Sequence, residues 1–329
     1  MDFTDVAKLA GGFVEARAIQ AALEIGVFEA LRYSKDASGV AGAIRCDIRA
    51  TELLLNALVS IGLLTKQQSA YSLNDAASTY LLKSSPKYLG GMILFDSSLW
   101  QCWGDLAKVL RTGKPARPPN MYQGDANETE RFIHAMDSLV RARGDAEILA
   151  EMLDLNEVTE LLDVGSGPAT YPLSFCRKYP ALRATIFDLP ATLEVTKRFV
   201  DASDVRDRIT LIPGNYRSDP IPGAYPLAFL SNIIHGEGNE ENERLMAKLY
   251  GCLDRDGVII IKDHILDNSR AHPGIGAVFS LLMLLTTEQG RCYSFNEVKS
   301  WLDKAGFQRV QEIPLSPPLT SSLVIGMKP

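Results

Sequence analysis

Along the first third of the chain, apolar positions recur at helical spacing. Ala18, Ala21, Ala22, Ile25, Val27, Phe28 and Leu31 stand at helical spacings in a predicted helix over residues 16–31, interrupted by Gly26. A second helix is predicted from about Arg49, with Leu53, Leu54, Ala57, Leu58 and Ile61 on one face and Gly62 placed to end it. Two short apolar-bearing runs then flank the polar segment 66–69, the pattern of a β-hairpin. Helix, helix, hairpin is the order of a winged helix. The run Met92-Ile93-Leu94-Phe95, with Trp100 and Trp103 behind it, predicts extensive burial. Residues 111–123 hold Gly113, Pro115, Pro118 and Pro119 and read as a linker or crossing loop. Helical pattern resumes at Glu128 with Phe132, Ile133, Met136 and Leu139, and runs to about Leu153.

From residue 160 the pattern changes to short apolar runs alternating with helices. Strands are predicted at 161–164, 184–188, 209–212, 227–230 and 258–261, with two more at 307–313 and 322–327. Such alternation argues for a parallel sheet covered on both faces. The last two strands, joined by a proline-bearing loop, predict a hairpin closing the sheet edge.

Composition narrows the function classes. The chain has 329 residues, 46% of them hydrophobic and 22% charged, enough for two ordinary domains with full cores. Its net charge of −6 disfavours nucleic acid as the main partner. Within the helix and wing, residues 49–73, only Arg49 and Lys66 are basic, which weakens a DNA-binding use of the winged helix. No apolar run approaches the ~20 residues of a membrane span. The start, MDFTDVAKLAGG, does not read as a signal peptide. Five scattered cysteines without a C-x-x-C suit a reduced, cytoplasmic setting and no disulfide framework or structural zinc. The four histidines offer no H-E-x-x-H pair, so no metal is expected.

The first strand of the sheet runs into Gly165-Ser166-Gly167-Pro168-Ala169-Thr170. Thr170 stands where a dinucleotide fingerprint has its third glycine. Asp163 lies inside that strand, and a buried carboxylate suits a cationic ligand better than a pyrophosphate. Asp188 ends the second strand, where an acid accepts from ribose hydroxyls; it could also cap the helix that follows Leu189-Pro190. Together these features favour S-adenosylmethionine over NAD. His235 follows the fourth strand, beside the switch point where ligands bind in such sheets. An imidazole titrates near neutrality and can take a hydroxyl proton; a plain loop histidine is the alternative.

The succession LLDVGSGPA, IFDLPAT, GNY, FLSNIIH, IIIKDHIL and GRCYSFNEVKSWLDKAGF resembles the S-adenosylmethionine-dependent O-methyltransferases of the caffeate, isoflavone and acetylserotonin type, with hydroxyneurosporene methyltransferase among their bacterial relatives. The resemblance covers nearly the whole chain. It implies an α/β fold: a Rossmann-like, seven-stranded, mostly parallel sheet in the order 3-2-1-4-5-7-6, behind an N-terminal all-helical winged-helix dimerisation domain whose wing would be the hairpin. Residues 1–120 would form the dimerisation domain and 121–329 the cofactor-binding catalytic domain.

The resemblance implies that Gly165 and Gly167 line the methionine part of the cofactor and that Asp188 binds its ribose. It places Asn215 and Tyr216 around adenine, and Ser231 where relatives often carry Lys or Arg. It implies a catalytic role for His235, flanked by the acid Asp263, and an acceptor pocket with Phe279, Met283, Cys292 and Met136 on its walls. Two departures stand out. The chain reads His235-Gly236-Glu237 where the family usually reads His-Asp-Trp, and Cys292 occupies a second acidic position. The reading is a homodimeric enzyme that methylates a hydroxyl of a small, mostly apolar, aromatic molecule without a metal. Alternatives are C- or N-methylation, a homologue that keeps the cofactor for other chemistry, and a ligand-sensing regulator.

Overall fold

The computed structural model describes residues 1–119 and 124–329. They group into two compact units, one of residues 1–99 with 134–142 and one of 100–133 with 143–329. The expected domain boundary at 120/121, and the end of the expected linker, lie outside the described residues.

In the first unit, helix Phe3–Glu24 opens on a capping box between Asp2 and Asp5. It stops before Gly26, whose φ of +82° is a left-handed conformation that glycine adopts freely. The single helix expected over 16–31 is therefore two, Phe3–Glu24 and Val27–Ala30. Helices Ala37–Ile44 and Ile48–Ser60 follow, each capped by an aspartate, Asp36 and Asp47. Gly62, at φ +84°, turns the chain out of the second, as its spacing predicts. Strands β1 (Leu64–Gln67) and β2 (Ala70–Leu73) pair antiparallel, Leu64 opposite Leu73. The unit is thus not wholly helical, since residues 66–69 close a hairpin. Phe28, Leu31, Leu55, Leu58 and Tyr71 fill its core. Helix Phe3–Glu24 leaves Phe3, Val6, Leu9 and Phe13 exposed.

The second unit is built on β3 (Glu160–Val164), β4 (Arg183–Asp188), β5 (Ile209–Pro213), β6 (Tyr225–Ser231), β7 (Leu253–Asp263), β10 (Gln308–Pro314) and β11 (Ser322–Met327). A small pair, β8 (Ile265–Leu266) and β9 (Tyr293–Ser294), lies apart. The large sheet runs β10-β11-β7-β6-β3-β4-β5, and counting its strands in chain order gives the expected 3-2-1-4-5-7-6. β3 to β7 are parallel, and β11 is antiparallel to both neighbours. Apolar residues point to both faces, Leu162, Ala228 and Ile259 to one and Leu161, Phe229 and Ile260 to the other, because helices cover each side.

Three further features differ from the sequence pattern. β7 is longer than 258–261 and carries Asp263 at its end. The helix expected from 128 to 153 is broken by Gly144 (φ +75°) into Ala126–Arg143 and Asp145–Met152. Trp100 and Trp103, expected to be buried, remain 41% and 38% exposed. The parallel order brings the carboxyl ends of β3, β4, β6 and β7 to one edge, where Gly165, Asp188, Ser231 and Asp263 are found.

Candidate active site

The glycine loop leaves β3 with Gly165 at φ +71° and Gly167 at φ +59°. The positive φ favours glycine at 165, and a Cβ there would stand 2.4 Å from Ile233 Cδ1. Gly167 N donates to Asp188 Oδ2 at 2.9 Å, and Leu189 N donates to Asp188 Oδ1 at 2.7 Å. Asp188 therefore ties the end of β4 to the glycine loop. It is not the cap of helix Pro190–Asp201, whose N-cap position is Leu189, without a side-chain bond.

Burial pushes the Asp188 carboxyl up to about 6 despite these two amides. Asp163, pointing out of β3, accepts from the Ser166 hydroxyl at 2.7 Å. Burial pushes it up to about 7, with Asp188 adding to the rise. Two buried carboxyls thus flank one loop, a setting that rewards a cationic or hydroxyl-rich ligand. S-adenosylmethionine brings an ammonium, a sulfonium and two ribose hydroxyls, and the residues fit it.

Asn215 and Tyr216 follow β5. Asn215 Oδ1 accepts from Arg217 N at 3.0 Å, and its own N donates to Asp219. Tyr216 closes on Gly165 and donates its hydroxyl to Glu237 Oε1 at 2.6 Å. Ser231 ends β6 opposite Lys262 of β7. Lys262 is 1% exposed and lies 3.3 Å from Asp145 Oδ2, which also receives Arg143. Burial pulls the Lys262 ammonium down against the pull of Asp145.

His235 sits on the single helical turn Ile234–Gly236. Its Nδ1 lies 2.7 Å from Asp263 Oδ1, and the same oxygen accepts from His264 N at 2.7 Å. Burial alone would push the Asp263 carboxyl up, but the charge and hydrogen bond of His235, with His264 beside it, hold it below the usual carboxylate range. Phe279 meets the His235 ring edge-on at 4.9 Å and the His264 ring at 4.9 Å on another side. Met283 stands one turn on from Phe279 along helix Gly274–Thr286.

Cys292 is buried, its N bonded to Ser280 Oγ. Burial and nearby Asp263 push its thiol up to about 12, the opposite of an activated nucleophile. Met136 lies on the stretch of helix Ala126–Arg143 that belongs to the first unit. Among the described residues no group of three or more His, Cys, Asp or Glu is placed to hold a metal ion. No helix among them is long and apolar enough to cross a membrane.

Sequence reading missed three participants. Glu237 is 3% exposed and receives both Tyr216 and Arg217; Tyr293 donates to its carbonyl. His264 supports Phe279 and bonds Thr320 O at 2.8 Å. The Lys262–Asp145 pair had one legible signal, a lysine ending an apolar run.

Residues 108–308 match the O-methyltransferase domain, and residues 7–83 match the O-methyltransferase dimerisation domain. The chain is 30% identical to the tetracenomycin polyketide synthesis 8-O-methyl transferase TcmO of Streptomyces glaucescens, over 99% of this chain and 96% of that protein. It is 28% identical to the 3-hydroxy-5-methyl-1-naphthoate 3-O-methyltransferase of Streptomyces sahachiroi, over 99% and 95%. Among solved structures it is similar to human N-acetylserotonin methyltransferase in complex with S-adenosylmethionine, with a TM-score of 0.89, 25% identity, and coverage of 100% and 98%.

Proposed function

This chain belongs to the O-methyltransferase family and takes its methyl group from S-adenosylmethionine, and we propose that it passes that group to a hydroxyl of a small, mostly apolar, aromatic metabolite with His235 as general base. The observation that carries this reading is the 2.7 Å bond between His235 Nδ1 and the buried Asp263. The carboxylate accepts the Nδ1 proton, which leaves Nε2 as the basic nitrogen. Asp263 is then a positioning residue that also steadies the imidazolium formed when the hydroxyl proton is taken.

Bound S-adenosylmethionine supplies an electrophilic methyl on a sulfonium. Because that group is already reactive, holding the acceptor in line accounts for much of the acceleration, and no metal step is needed. Gly165 and Gly167 would line the methionine portion, Asp188 would accept from the ribose, and Asn215, Tyr216 and Ser231 would flank the rest. Phe279, Met283 and Cys292 would give the acceptor an apolar wall. Cys292 serves there as bulk, in keeping with its buried thiol. The hydroxynaphthoate in the name of one relative supports an aromatic acceptor.

In the same reading, residues 1–120 form a winged-helix dimerisation domain and 121–329 the catalytic domain. The exposed row Phe3, Val6, Leu9 and Phe13 supports a homodimer. Five free thiols, four of them buried, support a reduced, cytoplasmic setting. The direct test is incubation with methyl-labelled S-adenosylmethionine and a panel of phenols that includes 3-hydroxy-5-methyl-1-naphthoate. A labelled methyl ether is expected; label found only on carbon or nitrogen would overturn the reading.

A further inference from the structure

Glu237 stands beside His235 but points away from it, toward the exit of β5. Its Oε1 accepts from Tyr216 Oη at 2.6 Å and from Arg217 Nε at 2.9 Å. Its carbonyl accepts from Tyr293 Oη at 2.5 Å. The side chain is 3% exposed and pairs with a half-exposed arginine, so its position is defined from both ends. The neighbouring backbone is equally confined. Ile234 O accepts from the buried Asn242 Nδ2 at 2.9 Å. A Cβ on Gly290 would stand 2.5 Å from His235 O, so the 287–290 turn presses directly on the histidine's own carbonyl.

The loop that carries His235 is thus anchored on three sides: by Asp263 at the ring, by Asn242 and Tyr293 below, and by Tyr216 and Arg217 through the Glu237 carboxylate. The last anchor joins the loop by hydrogen bonds to Tyr216, one of the residues proposed to flank the cofactor. We infer that Glu237 is a positioning residue that couples occupancy of the cofactor pocket at Tyr216 to the placement of His235. The inference rests on the reading of Tyr216 as a cofactor-side residue and of His235 as the base. An apolar or donor-only side chain at this position could not accept these two bonds. The carboxylate therefore gives this chain a hydrogen-bonded link between the cofactor pocket and the histidine loop.

Three variants separate the parts. Glu237→Gln keeps an acceptor oxygen for Tyr216 and Arg217, Glu237→Ala removes it, and Tyr216→Phe removes only the hydroxyl. Calorimetry with S-adenosylhomocysteine reads the pocket, and the proton resonance of His235 Nδ1–H in that complex reads the histidine. Glu237→Ala is expected to weaken binding about 10- to 150-fold, the range for losing a hydrogen bond to a charged group, and to broaden the Nδ1–H signal. Glu237→Gln should stay within about 3-fold of the parent and keep a sharp signal, because a neutral acceptor retains most of the geometry. Tyr216→Phe should fall between.

Parent-like affinity and a sharp signal in Glu237→Ala would overturn the inference, as would equal losses in the Gln and Ala variants. Should Glu237→Ala fail to fold, Tyr216→Phe decides: no change in either readout overturns the coupling. Failure of the base reading would appear elsewhere, as turnover indifferent to His235→Ala, and would leave these two readouts unaffected.

Discussion

Replacing Asp263 with asparagine probes the catalytic pair without emptying the space it fills. Asp263 is 1% exposed, and its two oxygens serve three donors: His235 Nδ1 and His264 N on Oδ1, and His235 N on Oδ2 at 3.4 Å. An asparagine offers one oxygen and one amine. With its oxygen toward the ring, the amine faces the His235 backbone N–H, donor against donor; flipped, it faces Nδ1 and favours the wrong tautomer. Either way a hydrogen bond to a charged group is lost, worth about 1.5–3 kcal/mol. Spent wholly in the transition state, that is about 10- to 150-fold in turnover. The assay is single-turnover methyl transfer at saturating S-adenosylmethionine, with S-adenosylhomocysteine affinity measured alongside and expected to hold. In a His235→Ala background the same substitution should cost less than about 3-fold, since groups acting as a unit are not additive. A full loss in that background, or near-parental turnover in Asp263→Asn alone, would refute the idea that Asp263 works through the imidazole.

Further outcomes follow from the cofactor pocket and the first unit. Asp188→Ala should weaken S-adenosylhomocysteine by about 1–3 kcal/mol in calorimetry. Asp188 and Asp163 titrate near 6 and 7 in the fold against 3.8 ordinarily, so the native state binds their protons more tightly than the unfolded chain. Their contribution to stability is present at low pH and is lost as pH rises from about 4 to about 7. Cofactor affinity should run the other way and increase over about pH 5 to 8, because the ammonium prefers ionised carboxylates; a flat profile in calorimetry would contradict that. Leu9→Asp with Phe13→Asp should turn a dimer into a monomer in light scattering, by charging an apolar row that is exposed in the single chain.

Much of the sheet was legible because strands buried on both faces read as short apolar runs, such as Val258-Ile259-Ile260-Ile261. Helix ends were less so. Gly26 and Gly144 look alike in a periodic pattern whether tolerated or not, and here both adopt positive φ and break the helix. Within the candidate site, the parallel order gathers Gly165, Asp188, Ser231 and Asp263 at the carboxyl ends of their strands; the glycine loop and strand pattern point to the first two, and the family resemblance to Ser231 and Asp263. Links made by loop side chains over long separations were invisible. Glu237 meets Tyr216 across twenty-one positions, and no periodicity carries that pairing. The tryptophans at 100 and 103 show the converse limit, since apolar character alone does not decide how far a side chain is buried.

Whether His235 takes the acceptor's proton is decided by the pH–rate profile of His235→Ala beside the parent, with affinity for S-adenosylhomocysteine as control. Turnover is expected to be lower by about 10²–10⁴-fold, the range for losing a general base, with loss of the limb that reports the base and nearly unchanged cofactor affinity. Parental turnover with an unaltered profile would contradict the base role, and would mean that the proton leaves by another route.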